Sequence, residues 1–89
     1  MNASASEPSL ESRILALLTA VAPDIDPASV RADLDFRDQF DFDSMDVFNF
    51  ASAIHQSFGV DIPERDYRNL ASLAKCVAYV QAATKQPAR

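Results

Sequence analysis

The sequence predicts an all-α fold of four helical segments, with a long loop between the first and second and a short third helix. Three observations carry that expectation. Apolar residues recur at helical spacing in three separate stretches. The chain has a single glycine among abundant Ala, Leu, Asp and Ser, a composition that favours helices over hairpins. The one stretch with strand-like alternation, Phe40 and Phe42 between Asp41 and Asp43, has no second stretch to pair with.

Residues 1–7 are small and polar with nothing to bury, and 86–89 read the same way, so both ends are expected to fray and leave 8–85 as one domain. Leu10, Ile14, Leu17, Leu18 and Val21 form the first apolar stripe. Pro8 suits the first turn of that helix, Glu11 lies near its positive end, and Pro23 stops it. Residues 23–43 hold two prolines, seven aspartates and scattered apolar residues without a sustained period, which reads as one long loop packed over the core. From Ser44 the helical period returns, with Val47, Phe50, Ala51, Ile54 and Phe58 on one face. Gly59 follows directly, where a left-handed residue closes a helix. Val60 to Pro63 form an extended link, and Glu64 to Arg68 a brief helical turn. Leu70, Leu73, Val77 and Val80 make the last stripe, capped by Asn69 or Ser72 and running to about Thr84.

With 89 residues the chain buries roughly 60 to 65% of its unfolded surface, enough for one core but not for a core plus a deep substrate cavity. A self-contained enzyme is disfavoured. The formal charge of −5, with no basic run and no aromatic interleaved with Lys or Arg, argues against nucleic acid and for a basic protein surface as partner. The one cysteine, Cys76, cannot form an internal disulfide, and it sits beside the core residue Val77, where a small apolar role is the simpler reading. No stretch reads as a signal peptide or an apolar span, so the expected compartment is the cytoplasm. The aspartates at 33, 35, 38, 41, 43 and 46 lack the spacing, central Gly and terminal Glu of an EF-hand loop and read as a solvated acidic loop.

One short motif stands out: Ser44 opens the second helix inside Asp41-Phe42-Asp43-Ser44-Met45-Asp46. Its hydroxyl can serve as a helix cap. The same position equally suits an attached anion such as a phosphodiester, because a helix N-terminus presents free N–H groups and partial positive charge. A nucleophilic role fails for want of a base: the only histidine, His55, is eleven residues on in the same helix, roughly 16 Å away.

Asp43-Ser44-Met45-Asp46 resembles the Asp-Ser-Leu motif of acyl carrier proteins, with Met in the place of Leu. The likeness covers the whole run from Asp43 through Phe58, Ile62-Pro63 and the Leu73, Val77, Tyr79, Val80 stretch without a gap, and extends to the first helix and the long loop. It implies a four-helix bundle of that family's type. It also implies that Ser44 accepts 4'-phosphopantetheine from coenzyme A through a phosphopantetheinyl transferase, with Asp43 part of the recognition motif, and that the arm's thiol carries acyl cargo as a thioester. Met45, Asp46 and Phe48, with Asp41, are then the residues expected to meet partner enzymes that load, transfer or extend the cargo through basic docking surfaces. Such a chain is no enzyme itself and is expected as a freestanding monomer in a fatty-acid, lipid or polyketide pathway.

Two departures bear on those implications. Asp41 stands where the family carries Gly, which calls for a residue tolerant of a left-handed backbone. Asn49, His55, Gln56 and Ser57 stand where the family's second helix is rich in carboxylates, which points to a specialised carrier. Phe48, larger than the usual aliphatic residue, is expected to narrow the channel where cargo shelters. For Met45 and Phe48 a bland alternative is burial against Phe36 to Phe42. A peptidyl or aminoacyl carrier, or an unmodified helical adaptor of the same fold, are the alternative functions.

Overall fold

The serine before Leu10 opens the first helix: Ser9 Oγ accepts the Ser12 N–H at 3.1 Å, satisfying one of the unpaired donors of the first turn. The computed structural model describes residues 9–84. Pro8, both expected tails and the last residue of the expected domain lie outside them. Helix α1 spans Leu10–Val21 and buries Ile14 and Leu18, with Leu10, Leu17 and Val21 half-buried around them. Pro23, lacking a donor, follows its Ala22 cap.

The stretch expected as one long loop is more ordered than its composition suggests. Pro27–Ser29 form a 3-10 turn capped by the Asp26 carboxylate, and Phe36–Gln39 form a single-turn helix, α2. One turn is too short to display a period, which is why the sequence reads as loop there. The segment is fastened from two sides. Gln39 accepts the Arg31 N–H at 2.7 Å and donates to the carbonyls of Arg31 and Leu34, each at 2.8 Å. The Phe36 N–H donates to the Ala71 carbonyl at 2.7 Å and the Ala74 N–H to the Ala32 carbonyl at 3.0 Å, an isolated bridge between Asp35 and Ser72 lying between them. Among the described residues this bridge is the whole of the β pairing.

The second predicted helix is α3, Ser44–Phe58. Phe50, Ala51 and Ile54 are buried on its inner face, with Val47 and Phe58 at the margins. Gly59 takes φ +70° and its N–H donates to the His55 carbonyl at 2.8 Å, closing the helix. His55 also fastens the chain. Its Nδ1 lies 3.0 Å from the Val60 carbonyl, which can only accept, so the proton is on Nδ1 and ties the helix end to the following link. The turn expected over Glu64–Arg68 is a longer 3-10 helix, Glu64–Leu70. Ser72, not Asn69, then caps α4, Leu73–Thr84, by accepting the Lys75 N–H at 3.2 Å.

The four helices of seven residues or more make an all-α bundle in which α1 packs against both α3 and α4. Arg13 on α1 lies over the Phe58 ring at 4.4 Å, joining α1 to the end of α3. Between the long loop and α3 sit three rings. Phe36, Phe42 and Phe50 contact one another at centroid separations of 5.3, 5.8 and 6.2 Å, tilted or edge to face, and all are buried. Each such pair adds about 0.5–1.5 kcal/mol beyond simple burial.

Two substitutions probe this packing. Phe36→Ala is expected to lower the unfolding free energy by about 3–5 kcal/mol, read by urea denaturation, because the ring is fully buried and its partners come from separate elements. Gly59→Ala is expected to cost about 1 kcal/mol through backbone conformation alone, since no atom lies within 4 Å of a Cβ placed there.

Candidate functional site

The start of α3 is built by two aspartates. Asp43, in extended conformation, accepts the Asp46 N–H on Oδ1 at 3.0 Å, and its own N–H donates to Asp46 Oδ2 at 3.1 Å. This reciprocal capping box satisfies two backbone donors at once and sets both carboxylates against the positive end of the helix. The capping role weighed above for Ser44 therefore belongs to Asp43. Ser44 is one place too far along, inside the first turn, and among the described residues its exposed hydroxyl has no hydrogen-bond partner.

The approach to Asp43 also differs from expectation. The Phe42 N–H donates to the Phe40 carbonyl at 2.9 Å, a tight three-residue turn centred on Asp41. Among the described residues only Gly59 has positive φ, so Asp41 makes the turn without the left-handed backbone that the Gly-to-Asp departure called for. Phe42 is buried in the ring cluster and Asp41 points outward.

A cleft of about 670 Å³ opens beside Ser44. One wall is α3, through Ser44, Met45, Val47 and Phe48; the loop contributes Phe36 and Phe42, and the 3-10 helix Glu64–Leu70 contributes Tyr67 with the flanking Ala71. Its floor is apolar and its rim charged, with Asp35, Arg37, Glu64 and Arg68, none of which forms an ion pair among the described residues. Met45 and Phe48 are 62% and 51% exposed, so they line this opening rather than being buried against Phe36 to Phe42.

The residues singled out in the sequence fall into two groups. Ser44, Met45 and Phe48 meet at the cleft, whereas Asp41 and half-buried Asp46 line a separate hollow of about 390 Å³ with Asp24, Ile25 and Phe40. Asp43 stands between them as the cap. No group of three His, Cys, Asp or Glu side chains among the described residues converges as a metal ion requires. Tyr67, Arg37 and Arg68 were not singled out in the sequence, because they belong to segments with no apolar period and are brought to the cleft only by tertiary packing.

Cys76 is the chain's one thiol and is fully buried in α4; burial pushes its pKa up to about 12. At neutral pH it is a protonated, inaccessible core residue rather than a nucleophile. His55 is far along α3 from Ser44, on the wall of a different hollow. The site therefore holds an accessible hydroxyl, the amino-terminal dipole of a 15-residue helix and an apolar cleft, with the one histidine away from the serine. Such an arrangement can carry a group. Among the described residues, no helix is long and apolar enough to cross a membrane.

The phosphopantetheine attachment site family matches residues 12–80. The chain is 29% identical over 84 residues to a putative mitochondrial acyl carrier protein of Schizosaccharomyces pombe, a match covering 94% of this chain and 72% of the relative. It is 36% identical over 55 residues to an acyl carrier protein of Kineococcus radiotolerans, covering 62% of this chain and 68% of that one. With the meromycolate extension acyl carrier protein of Mycolicibacterium aurum it shares 33% identity over 57 residues, and there it spans 59% of the relative's length. A match over most of the chain, on a helical bundle with a serine exposed at a helix start, leads to one conclusion: the chain belongs to the acyl carrier protein family, whose members hold 4'-phosphopantetheine covalently and are carriers rather than enzymes.

Proposed function

We propose that Ser44 is the residue that carries the 4'-phosphopantetheine arm, and that the chain presents acyl intermediates on it to the enzymes of a fatty-acid or other lipid pathway. The observation that carries this reading is the division of labour at the start of α3: Asp43 and Asp46 do the capping, and the Ser44 hydroxyl is exposed and unengaged. The chain's residues fit the group. The first amides of α3 have no helical carbonyl to meet and suit a phosphodiester oxygen, while the apolar floor beside Ser44 suits an aliphatic cargo. The neighbouring carboxylates oppose the phosphate, but a covalent bond needs no binding energy to hold it. When attached, the arm supplies the mobile external thiol on which a thioester is carried, a role closed to buried Cys76.

Recognition by other proteins draws on the same surroundings. Met45 and Phe48 offer two exposed apolar side chains next to Ser44, a natural docking point for the transferase and later enzymes. Asp41, exposed on the other flank, provides the charge that steers a basic partner. Asp46 has a local role first, since its carboxylate is held in the capping box. The lipid pathway draws support from the relatives named for meromycolate extension and for a mitochondrial acyl carrier.

Intact mass measured after incubation with coenzyme A, magnesium and a broad-specificity phosphopantetheinyl transferase is expected to rise by one phosphopantetheine, and Ser44→Ala to abolish the gain. An unchanged mass with several transferases would favour the unmodified adaptor. Thiol titration provides a separate check: the unmodified protein should show no reactive thiol when native and one in denaturant, and the modified protein one and two. A native unmodified protein that reacts at once would overturn the assignment of Cys76 to the core.

A further inference from the structure

Two hollows lie along one side of α3. The first is the cleft beside Ser44; the second, of about 250 Å³, is lined by Ala51, Ser52, His55 and Gln56 of α3 with Asp61 and Ile62 of the following link. Met45, Phe48, Ser52 and His55 follow one another at intervals of three or four, so both hollows open on the same stripe of the helix. From Ser44 to Gln56 that stripe runs about 18 Å at 1.5 Å per residue. Tyr67 is the one residue common to both linings. It is half-buried against the core, and among the described residues its hydroxyl makes no hydrogen bond. The other tyrosine is anchored, with Tyr79 Oη donating to Asp66 at 2.8 Å. Packing alone therefore holds the Tyr67 ring between the two hollows.

We propose that Tyr67 is the partition that sets the length of cargo this carrier shelters. This rests on the reading of Ser44 as the attachment site. A short acyl chain is accommodated on the apolar floor beside Ser44, between Met45, Phe48 and the loop rings. A longer one meets the Tyr67 ring, and beyond it the surroundings turn polar at Ser52, His55 and Asp61, with Ala51 and Ile62 as the apolar exceptions. Further methylenes stay in water. The proposed length limit therefore lies at Tyr67 rather than at Phe48, whose ring lines the open cleft without closing it.

The test loads Ser44 by transferase with acyl-coenzyme A derivatives from butyryl to hexadecanoyl, confirms each product by mass, and follows the melting temperature of each against its own unloaded form. In the unaltered protein the gain is expected to rise on the order of 3 °C per sheltered methylene and then level off at a short chain. Tyr67→Ala should move that plateau to longer chains and bring long-chain shifts to the amides of Ser52 and His55. Tyr67→Phe should keep the original plateau, since the ring and not the hydroxyl blocks the way; Tyr67→Leu replaces the alanine variant if that one does not fold. Complete loading with the same plateau in all variants, or with no plateau in the unaltered protein, would overturn the partition alone. Failure to load at all would overturn the reading of Ser44 and this inference with it.

Discussion

The contact of Phe36, Phe42 and Phe50 is the constraint on which the rest of the molecule depends. A connection of some twenty residues with seven aspartates has no reason to lie against a protein unless something apolar holds it there. Phe36 and Phe42 do so from its second half, and Phe50 receives them from the middle of α3. Once those rings are together, the chain between Phe42 and Phe50 has little freedom left. Asp43 is brought to the point where its carboxylate meets the first turn, and the helix start is set. The loop's polar fastenings, Gln39 to Arg31 and Leu34 and the backbone bonds from Phe36 and Ala74, fix the outer course of a segment that the rings have already docked.

This arrangement also explains why a cleft exists beside Ser44. The same rings that close the core on one side form the floor of the opening on the other, so Phe36 and Phe42 are shared between stability and site. Opposite α3 the 3-10 helix places the Tyr67 ring, and the residue after that helix is the small Ala71, a pairing that leaves the cleft open. An open apolar surface next to an acidic face is costly for a lone protein, and its persistence is the mark of a surface that serves other molecules.

Much of this was legible in the sequence because it rests on periodicity. The core faces of α1, α3 and α4 follow from the spacing of Ile14 and Leu18, of Phe50, Ala51 and Ile54, and of Leu73 and Val80. Gly59 marked a helix end because only a left-handed residue was needed there. What was not legible has no period to display. The single turn Phe36–Gln39 is shorter than any repeat, and the identity of the cap turned on one residue, Asp43 against Ser44, which sequence chemistry permits equally. Asp41, in the place of a glycine, called for tolerance of a left-handed backbone, yet the turn is made without positive φ. Tyr67 reached the cleft by packing across the molecule, which local pattern does not encode.

The capping box has a thermodynamic consequence. Two effects are linked only when a change at one alters the free energy of the other, and the linkage runs equally in both directions. With Asp43 and Asp46 satisfying the first turn, the Ser44 hydroxyl takes no part in holding the helix. Replacing its hydrogen by another group leaves those bonds intact, so the change neither loses nor gains a cap. Any difference in stability between bare and decorated forms then comes from the contacts of the added group itself, its phosphate at the start of α3 and its cargo in the cleft, and not from the capping of the helix.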